Sequence, residues 1–308
     1  MKTTVVMTTF NGQKYVKAQL ESLYTQTYQP DEVIILDDNS EDNTVSIVEK
    51  FIRDNALSSW KISVNKENKG WRQNFMCGIW QAKGDLIFPC DQDDIWHHDK
   101  IEKMEKVMEE NSQINVLVSN HRNFYDDGSK KIMPSKNNGQ LEKIPLKNNC
   151  MAVIYPGCTY CIRKDLAVKS EMYYRKGYAH DDLMWRLGLF SDGLYVLRED
   201  LIDYRQHSDS TYSLETVEMK TISEKKKWIA MTQNFCFDLI RFVQDNNSSN
   251  KEKQLRILSG VQEWLDERAK LYERKKIWQA VKLIRYWGYY QRRRQYLGDW
   301  YIIFFNRK

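Results

Sequence analysis

The stretch EVIILDDNSEDNTVSIVEKFI, residues 32–52, contains the two patterns that decide the fold. Its first part is a β-branched and apolar run, typical of a buried strand, and it stops at the polar turn DDNS, residues 37–40. The second part places apolar residues at helical spacing, with Ser40 or Asp42 available as the N-cap. A strand followed at once by a helix predicts a βα unit.

The same alternation continues through the first 120 residues with short connections. Further strands are predicted in TTVVMTT (3–9), WKISVN (60–65), DLIFPC (85–90) and INVLVSN (114–120), and further helices in residues 14–27, 71–83 and 98–110. Repeated units of this kind predict an α/β fold, with a mixed, mainly parallel sheet that is flanked by helices.

In such sheets, ligands bind beyond the carboxyl ends of the strands. The segments that fall there are TTFNG (8–12), DDNSED (37–42), NKENKGW (65–71) and CDQDD (90–94). The last segment places Asp91, Asp93 and Asp94 directly after an apolar run, where like charges are costly unless a cation lies among them. A solvated acidic turn would need no cation, but four polar strand ends on one edge indicate a ligand site.

Two common nucleotide-binding loops are absent from the sequence. GxGxxG does not follow the first strand, and GxxxxGK[ST] occurs nowhere. The sequence therefore disfavours a dinucleotide dehydrogenase and a P-loop ATPase. A bound diphosphate would have to be held by a metal rather than by a glycine-rich loop.

The pattern changes after residue 120. HRNFYDDGSKKIM (121–133) predicts a hairpin turning at Asp127-Gly128, and the polar residues 135–150 predict a mobile loop beside the site. A strand entering a helix is predicted in residues 152–167, another helix in residues 180–190, and a long helical region from about Leu214 to Tyr290.

Hydropathy and cysteine usage indicate the compartment. The apolar run near the N-terminus is too short for a signal peptide, and about 18 apolar residues never run together. We therefore expect a cytoplasmic protein without a membrane span, whose six cysteines stay reduced. Cys158 and Cys161 form a CxxC, but no second pair completes a zinc site.

The charge distribution separates the chain into two parts. Residues 268–308 contain twelve Lys or Arg and two Asp or Glu, a net charge of +10, which leaves −5 for the remainder of a chain whose total is +5. An acidic body with a basic, aromatic tail indicates two regions with different partners.

The ordered series of motifs resembles glycosyltransferase family 2, and within it the bacterial rhamnosyltransferase-like members that build cell-surface polysaccharide. The motifs are TTFNG, ILDDNSEDNT, NKGWRQNF, GDLIFPCDQDDIW, PGCTYCIRKDL, HDDLMWRL and YRQH, and together they span roughly residues 3–210. The resemblance implies a GT-A (Rossmann-like) fold, a nucleotide-diphosphate-sugar donor, a divalent Mg²⁺ or Mn²⁺ ion, and inversion at the anomeric carbon. We predict a GT-A catalytic domain in residues 1–213, with a nucleotide-binding half (1–120) and an acceptor half (121–213), and an α-helical C-terminal extension in residues 214–308.

Carried over residue by residue, the resemblance implies a site at the strand ends. The predicted donor-binding residues are Thr8, Asn11, Asp38, Arg72, Asp91 and Asp93, the predicted metal ligands are Asp93, Asp94 and His207, and the predicted catalytic base is Asp181 with Asp182 as the alternative. Asp38 would accept the N3–H of a uracil or thymine base, whereas Asp37 would only order its turn. His180 would pack beside the base, and Arg72 with Trp71 would combine packing with phosphate contact.

Physical chemistry supports these roles independently. A sugar nucleotide leaves as a diphosphate, and a hard divalent ion held by carboxylates stabilises the charge that develops there. The acceptor hydroxyl must lose its proton, for which a partly buried carboxylate is a suitable general base.

Two departures from the family pattern remain: HDD lacks the usual Glu before the base, and Ser208-Asp209-Ser210 replace a common Gly and Asn after YRQH.

The basic, aromatic tail has three interpretations. Its flanking cations and interfacial aromatics fit a helix that lies on an anionic membrane surface, with Ile277, Ala280, Val281, Ile284 and Gly288 on one stripe. A packing face or a homo-oligomer face is the second interpretation. A nucleic-acid groove is the third, and the acidic body disfavours it.

The sequence thus predicts an inverting, metal-dependent glycosyltransferase that moves a sugar, L-rhamnose from dTDP-rhamnose, to a saccharide or lipid-linked glycan acceptor. It would work in the cytoplasm, peripheral on the inner face of the plasma membrane, and without nucleic acid. A UDP-glucose or UDP-galactose transferase would use the same residues. A non-catalytic, nucleotide-binding subunit of a polysaccharide assembly complex is the alternative from another class.

Overall fold

The computed structural model describes residues 1–125, 129–132, 137–207, 221–246 and 248–305. One sheet carries the first part of the chain, and its strands lie side by side in the order β3 (Trp60–Val64), β2 (Glu32–Asp37), β1 (Thr3–Thr9), β4 (Leu86–Cys90), β9 (Tyr160–Arg163), β6 (Val116–Tyr125), β10 (Leu194–Gln206) and β5 (Ile95–Trp96). The four strands of its parallel half are β1 (Thr3–Thr9), β2 (Glu32–Asp37), β3 (Trp60–Val64) and β4 (Leu86–Cys90). The predicted α/β fold with a mixed, mainly parallel sheet is confirmed.

Four helices follow the parallel strands in alternation. They are α1 (Val16–Tyr24), α2 (Thr44–Asp54), α3 (Trp71–Gln81) and α4 (Lys100–Glu110). All seven residues of β1 are buried, as expected for a strand covered on both faces. The predicted N-cap of α2 is wrong, because Asn43 occupies the cap position. The Asp42 carboxylate lies one residue earlier and accepts from the backbone N–H of Gln13 and of Thr44.

The other half of the sheet is mixed. It contains β5 (Ile95–Trp96), β6 (Val116–Tyr125), β7 (Lys130–Ile132), β8 (Leu141–Lys143), β9 (Tyr160–Arg163) and β10 (Leu194–Gln206). β9 runs antiparallel between β4 and β6, whereas β6 and β10 are parallel. The predicted hairpin is confirmed by the antiparallel pairing of β6 with β7, and its predicted turn at Asp127-Gly128 lies outside the described residues. Part of the predicted loop 135–150 forms β8.

The remaining helices complete the described chain. α5 (Lys164–Lys169) and α6 (His180–Phe190) lie in the second half of the sheet domain, and both were predicted. The C-terminal region contains α7 (Ile222–Asp245), α8 (Lys251–Arg274), α9 (Ile277–Lys282), a 3₁₀ helix (Leu283–Tyr289), α10 (Arg294–Trp300) and a π-helical turn (Tyr301–Phe305). The predicted helical region is thus a series of separate helices, and Lys275 in the left-handed conformation (φ 52°) ends α8. Of the helices within the described ranges, none is long and apolar enough to cross a membrane.

The chain divides into two compact units. The first comprises Met1–Ile144, Ile154–Gly188 and Asp192–Gln206, and the second comprises Pro145–Val153, Leu189–Ser191 and His207–Lys308. Residues 208–220 lie outside the described ranges. The predicted domain boundary at residue 213, the departure at Ser208-Asp209-Ser210 and the predicted helix start at Leu214 all fall there, so the domain boundaries stay a prediction.

Candidate active site

The polar segments predicted as strand ends do lie at one edge of the sheet. In the parallel register, Thr9 pairs with Asp37, Asp37 with Val64, and Met7 with Cys90. The residues that follow each strand therefore leave the sheet side by side. This edge is where doubly wound folds bind their ligands.

Asp37 orders the turn after β2, as predicted. Its buried carboxylate accepts hydrogen bonds from the Thr9 hydroxyl at 2.7 Å, the Ser40 hydroxyl at 2.7 Å and the Ser40 backbone N–H at 2.8 Å. These three donors satisfy a charge that has lost most of its water.

Asp38 holds the segment that leads into α3. Its carboxylate accepts from the Asn65 side-chain amide at 2.9 Å and from the backbone N–H groups of Lys69 and Gly70 at 2.9 and 2.8 Å. An ionised carboxylate offers about four acceptor positions, so three of them are occupied here. Contact with a nucleobase stays a prediction. At the start of α3, the Arg72 guanidinium stacks 4.3 Å from the Trp71 ring centre.

The loop after β1 is clasped to the acidic turn by Gln92. The Gln92 side chain accepts from the Phe10 backbone N–H at 2.9 Å and donates to the Phe10 carbonyl at 3.0 Å. A Cβ at Gly12 would lie 2.1 Å from Gln92 Oε1, so a larger residue there would displace the Gln92 amide from Phe10. The predicted donor residue Asn11 is left-handed (φ 46°), and its side-chain oxygen accepts from the Glu41 backbone N–H. Thr8 is buried at the end of β1.

The three carboxylates of the acidic turn differ in burial, since Asp94 is buried and Asp91 and Asp93 are partly exposed. Asp94 is 1% exposed, and its Oδ1 accepts from the Arg205 backbone N–H at 2.9 Å. The Arg205 side chain donates from Nε to the Asp93 carbonyl at 2.6 Å, which ties the end of β10 to the turn. Asp94 Oδ2 is buried, and no hydrogen-bond partner for it exists among the described residues.

Electrostatics in the turn favour the binding of a cation. Burial, followed by the nearby Asp93 and Asp181, raises the pKa of Asp91 to about 7. Burial, together with Asp93 and Asp91, raises the pKa of Asp94 well above its usual range. A divalent ion would replace the protons that these carboxyls otherwise need.

The two carboxylates fit such an ion, whereas the Cys158 thiol beside them, whose pKa burial raises well above its usual range, is not a ligand that Mg²⁺ or Mn²⁺ prefers. Ligand atoms of Asp91, Asp94 and Cys158 lie within 4.8 Å of one another, and Asp94 Oδ2 is one buried oxygen without another partner among the described residues. The position of Cys158 beside these carboxylates was not predicted, because no pattern in the sequence relates it to the acidic turn. The predicted ligand Asp93 is not in this group, and its role stays a prediction. His207 directly follows β10 and belongs to the second unit, so its predicted role as a ligand also stays untested.

The first turn of α6 carries the predicted base. Burial, followed by the charge of Asp182, raises the pKa of Asp181 to about 7. Asp182 instead forms an ion pair with the buried Arg186 guanidinium at 3.0 Å, and its backbone N–H donates to Asp181 Oδ1. The structure thus gives the two adjacent aspartates different environments, which favours Asp181 as the base.

His180 packs beside the base as an uncharged ring. It lies 4.0 Å from Phe75, centroid to centroid, and burial lowers the pKa of its imidazole to about 3. A Cβ at Gly157 would lie 2.2 Å from His180 Nε2 and 3.2 Å from Asp181 Cβ. The glycine of the PGC motif therefore permits the close approach of residues 157–159 to α6. The contact of Gly157 with His180 could not be predicted from a single sequence, and neither could the hydrogen bonds of Gln92 and Arg205.

Comparison with known proteins finds one matching family model and several relatives of similar sequence. The family described as "Glycosyl transferase family 2" matches residues 4–168, more than half of the chain and including the acidic turn. The dTDP-rhamnosyl transferase RfbG of Shigella flexneri is 30% identical over 66% of this chain and 72% of its own length. The UDP-Glc:alpha-D-GlcNAc-diphosphoundecaprenol beta-1,3-glucosyltransferase WfaP of Escherichia coli is 29% identical over 67% of this chain and 78% of its own.

Two solved structures share the fold. S. aureus TarS 1–349 in complex with UDP-GlcNAc has a TM-score of 0.61 at 18% identity and covers 95% of this chain and 93% of its own. The mannosyltransferase PcManGT of Pyrobaculum calidifontis in complex with GDP-Man and Mn²⁺ has a TM-score of 0.55 at 13% identity and covers 100% of this chain and 88% of its own.

Proposed function

This chain belongs to glycosyltransferase family 2, and from that premise we propose that it transfers one sugar, with inversion, from a nucleotide-diphosphate donor to a hydroxyl of a saccharide acceptor. The observation that carries the proposal is the pairing of an acidic turn with a separate, half-buried carboxyl. Asp91 and Asp94 crowd at the end of β4, while Asp181 on α6 is near enough to raise the pKa of Asp91. One ion site and one base suffice for a single inverting displacement.

Asp181 is the proposed general base. A base works best when its pKa is near the operating pH, and burial raises the pKa of Asp181 to about 7. Its carboxylate would accept the proton of the acceptor hydroxyl as that oxygen attacks the anomeric carbon. Asp182 holds Arg186 and thereby fixes the first turn of α6.

Asp91, Asp93 and Asp94 are the proposed holders of a divalent Mg²⁺ or Mn²⁺ ion and of the donor. When bound, the ion would stabilise the charge that develops on the departing diphosphate. The unpartnered Asp94 Oδ2 and the raised pKa values of Asp91 and Asp94 support this assignment. The Mn²⁺ described with the Pyrobaculum mannosyltransferase supports it at the level of the fold.

The proposed donor is dTDP-L-rhamnose. The name of the Shigella relative, a dTDP-rhamnosyl transferase, supports this choice at 30% identity. UDP-glucose is the second candidate, because the Escherichia relative at 29% identity is named for UDP-Glc. Asn11 and Asp38 on the strand-end loops, with Thr8 at the end of β1 and Arg72 at the start of α3, would contact either nucleotide.

The proposed location is the cytoplasm, on the inner face of the plasma membrane. The Escherichia relative is named for an acceptor on diphosphoundecaprenol, which is a lipid carrier. In this chain, Ile277, Val281 and Ile284 are more than half exposed, and residues 274–298 contain eight Lys or Arg and no Asp or Glu. Exposed apolar side chains among cations fit the surface of an anionic membrane.

The test is a panel of nucleotide sugars offered to purified protein. We expect donor hydrolysis or transfer with dTDP-rhamnose that EDTA abolishes and Mn²⁺ restores. Asp94→Asn and Asp181→Asn should each lower the rate at least a hundredfold, because they remove an ion ligand and the base. Asp54→Asn, on the exposed face of α2, is the matched control and should keep the rate. Turnover indifferent to EDTA would contradict the ion, and full activity of Asp181→Asn would contradict the base.

A further inference from the structure

A cavity of about 500 Å³ opens within the second compact unit, and none of its lining residues is assigned to catalysis. Its lining comes from two segments that are distant in sequence, residues 147–149 and residues 287–293. The Gln291 side-chain amide donates to the Met151 carbonyl at 2.8 Å and so joins the two segments. The volume lies within the range of cavities that bind small molecules.

The chemistry of the lining selects an anion. The described lining residues include two cations, Lys147 and Arg293, and three side-chain amides, but no Asp or Glu. Trp287 and Tyr290 add aromatic surface. Cations with amide donors in a concave setting are the usual arrangement for binding phosphate oxygens.

The two aromatic residues of the lining, Trp287 and Tyr290, are held by contacts with neighbouring side chains. Tyr290 is buried, and its hydroxyl donates to Asp299 Oδ2 at 3.0 Å, while Asp299 also forms a buried ion pair with Arg268. Trp287 packs edge-on against Tyr296 at 5.5 Å. A preformed site of this kind binds its ligand with a smaller loss of conformational entropy.

An apolar surface precedes the cavity along the chain. Along α9 and the start of the 3₁₀ helix that follows it, Ile277, Val281 and Ile284 are exposed while Ala280 and Leu283 are buried. Gly288 follows Ile284 by four residues and lines the cavity. A ligand with a phosphate head and an apolar tail matches both features.

We propose that this cavity binds the phosphate of a membrane lipid, with the lipid's apolar chain along the exposed side chains of Ile277, Val281 and Ile284. The inference rests on the proposed membrane location and deepens it by assigning a specific site. The phosphate has two sources, an anionic phospholipid or the phosphorylated lipid carrier of a glycan. A second copy of this chain on the same surface is the competing occupant.

The test uses soluble probes below their micelle concentrations, with EDTA present so that no divalent ion holds a diphosphate at the acidic turn. Isothermal titration calorimetry would compare dihexanoyl phosphatidylglycerol, farnesyl diphosphate and inorganic phosphate. We expect one of the two lipid probes to bind saturably and at least tenfold more tightly than inorganic phosphate, and the preferred lipid probe identifies the source. Absence of saturable lipid binding, or equal affinity for inorganic phosphate, would overturn the proposal.

Three variants separate the cavity from general electrostatic attraction. Lys147→Gln with Arg293→Gln should weaken lipid binding at least tenfold, whereas Lys275→Gln with Lys276→Gln removes the same charge outside the lining and should change it less than twofold. Gly288→Phe should also weaken binding tenfold without a change of charge, since Asn148 Nδ2 at 3.8 Å is the nearest atom to a Cβ built there. Equal losses in both charge variants would overturn the proposal, as would wild-type binding by Gly288→Phe.

Further measurements separate misfolding and self-association from a loss of lipid binding. Far-UV circular dichroism and a thermal midpoint within a few degrees of wild type would show that each variant is folded. Sedimentation equilibrium that shows a dimer dispersed by the cavity variants would assign the surface to a second copy and overturn the lipid site. Donor hydrolysis by the same variants, measured separately with Mn²⁺ in place of EDTA, reports on the proposed function, because the cavity residues are assigned no part in that chemistry.

Discussion

At the scale of single residues, the candidate site depends on which carboxyls have lost their water. Asp91, Asp94 and Asp181 all have raised pKa values, and burial is the leading cause for each. Asp37 is fully buried, more so than Asp91 or Asp181, but three hydrogen-bond donors satisfy its carboxylate. Asp94 and Asp181 each accept one backbone N–H instead, so their carboxyls keep oxygens available to a cation or to a proton from the acceptor.

The pH dependence of transfer should distinguish Asp181 from Asp182. A general base acts only when it is deprotonated, and the pKa of Asp181 is raised to about 7. Activity should therefore rise with pH through about 7 and fall about tenfold per unit below it. Asp182→Asn removes the charge that contributes to this raised pKa, so its profile should shift to lower pH with activity retained.

The measurement is kcat/KM between pH 5 and 9 at saturating Mn²⁺, with Asp54→Asn as the unshifted control. A profile of Asp182→Asn that coincides with wild type would refute the electrostatic link between the two aspartates. Loss of all activity in Asp182→Asn, with activity kept in Asp181→Asn, would reverse the assignment of the base.

At the scale of elements, a buried ion pair joins three segments of the C-terminal unit. The Arg268 guanidinium on α8 makes two 2.7 Å hydrogen bonds to the Asp299 carboxylate on α10. The hydroxyls of Tyr272 and Tyr290 donate to the same carboxylate at 2.7 and 3.0 Å. Arg268 also lies over the rings of Trp228, Trp264 and Tyr290, at 5.1, 5.3 and 5.1 Å from their centres. The pair therefore fixes how α7, α8 and α10 pack.

Replacing one partner should destabilise this unit strongly. Asp299→Asn leaves a buried guanidinium without a counter-ion, which costs about 3–5 kcal/mol of unfolding free energy. Glu267→Gln removes ion pairs with Lys270 and Lys282, whose side chains are 46% and 38% exposed, and should cost less than about 1 kcal/mol. Amide hydrogen exchange of α8 measures both as opening free energies. Equal protection in the two variants would show that the buried pair adds little.

At the scale of the whole molecule, charge and exposed apolar surface concentrate in the C-terminal region. Seven large apolar side chains between residues 277 and 305 are more than half exposed: Ile277, Trp278, Val281, Ile284, Leu297, Tyr301 and Phe305. Seven of the eight cations in residues 274–298 are exposed as well. Of the stripe predicted from the sequence, Ala280 is buried and the other four residues are exposed.

This surface should bind anionic vesicles. Ile277→Ser, Val281→Ser and Ile284→Ser together should weaken co-sedimentation with vesicles of mixed phosphatidylcholine and phosphatidylglycerol at least tenfold, because the apolar contribution is lost. Val64→Ser, Val168→Ser and Met172→Ser remove equally exposed side chains from the other unit and should change binding less than twofold. Wild-type binding should fall as salt rises. Equal effects of the two triple variants would refute the assigned surface.

The order of elements was predictable because its signals are local. Alternation of apolar runs with helical spacing predicted β1 to β4 and the helices between them, and the polar residues that end each strand predicted the edge at which the site lies. Features that depend on contacts between distant residues could not be predicted from these local patterns. β9 enters the sheet antiparallel between β4 and β6, and α8 ends at Lys275. Neither feature follows from a recognisable pattern in the sequence.

The sequence by itself determined the βα alternation, the acidic turn at residues 91–94 and the two adjacent aspartates of α6, since each follows from residue types at short spacing. Only the tertiary structure decided what those groups can do. It removed water from Asp91, Asp94 and Asp181, paired Asp182 with Arg186, and brought Cys158 within 4.8 Å of two carboxylates. The physical reason is that a pKa and a ligand set depend on desolvation and on neighbours tens of residues away, which no local pattern specifies.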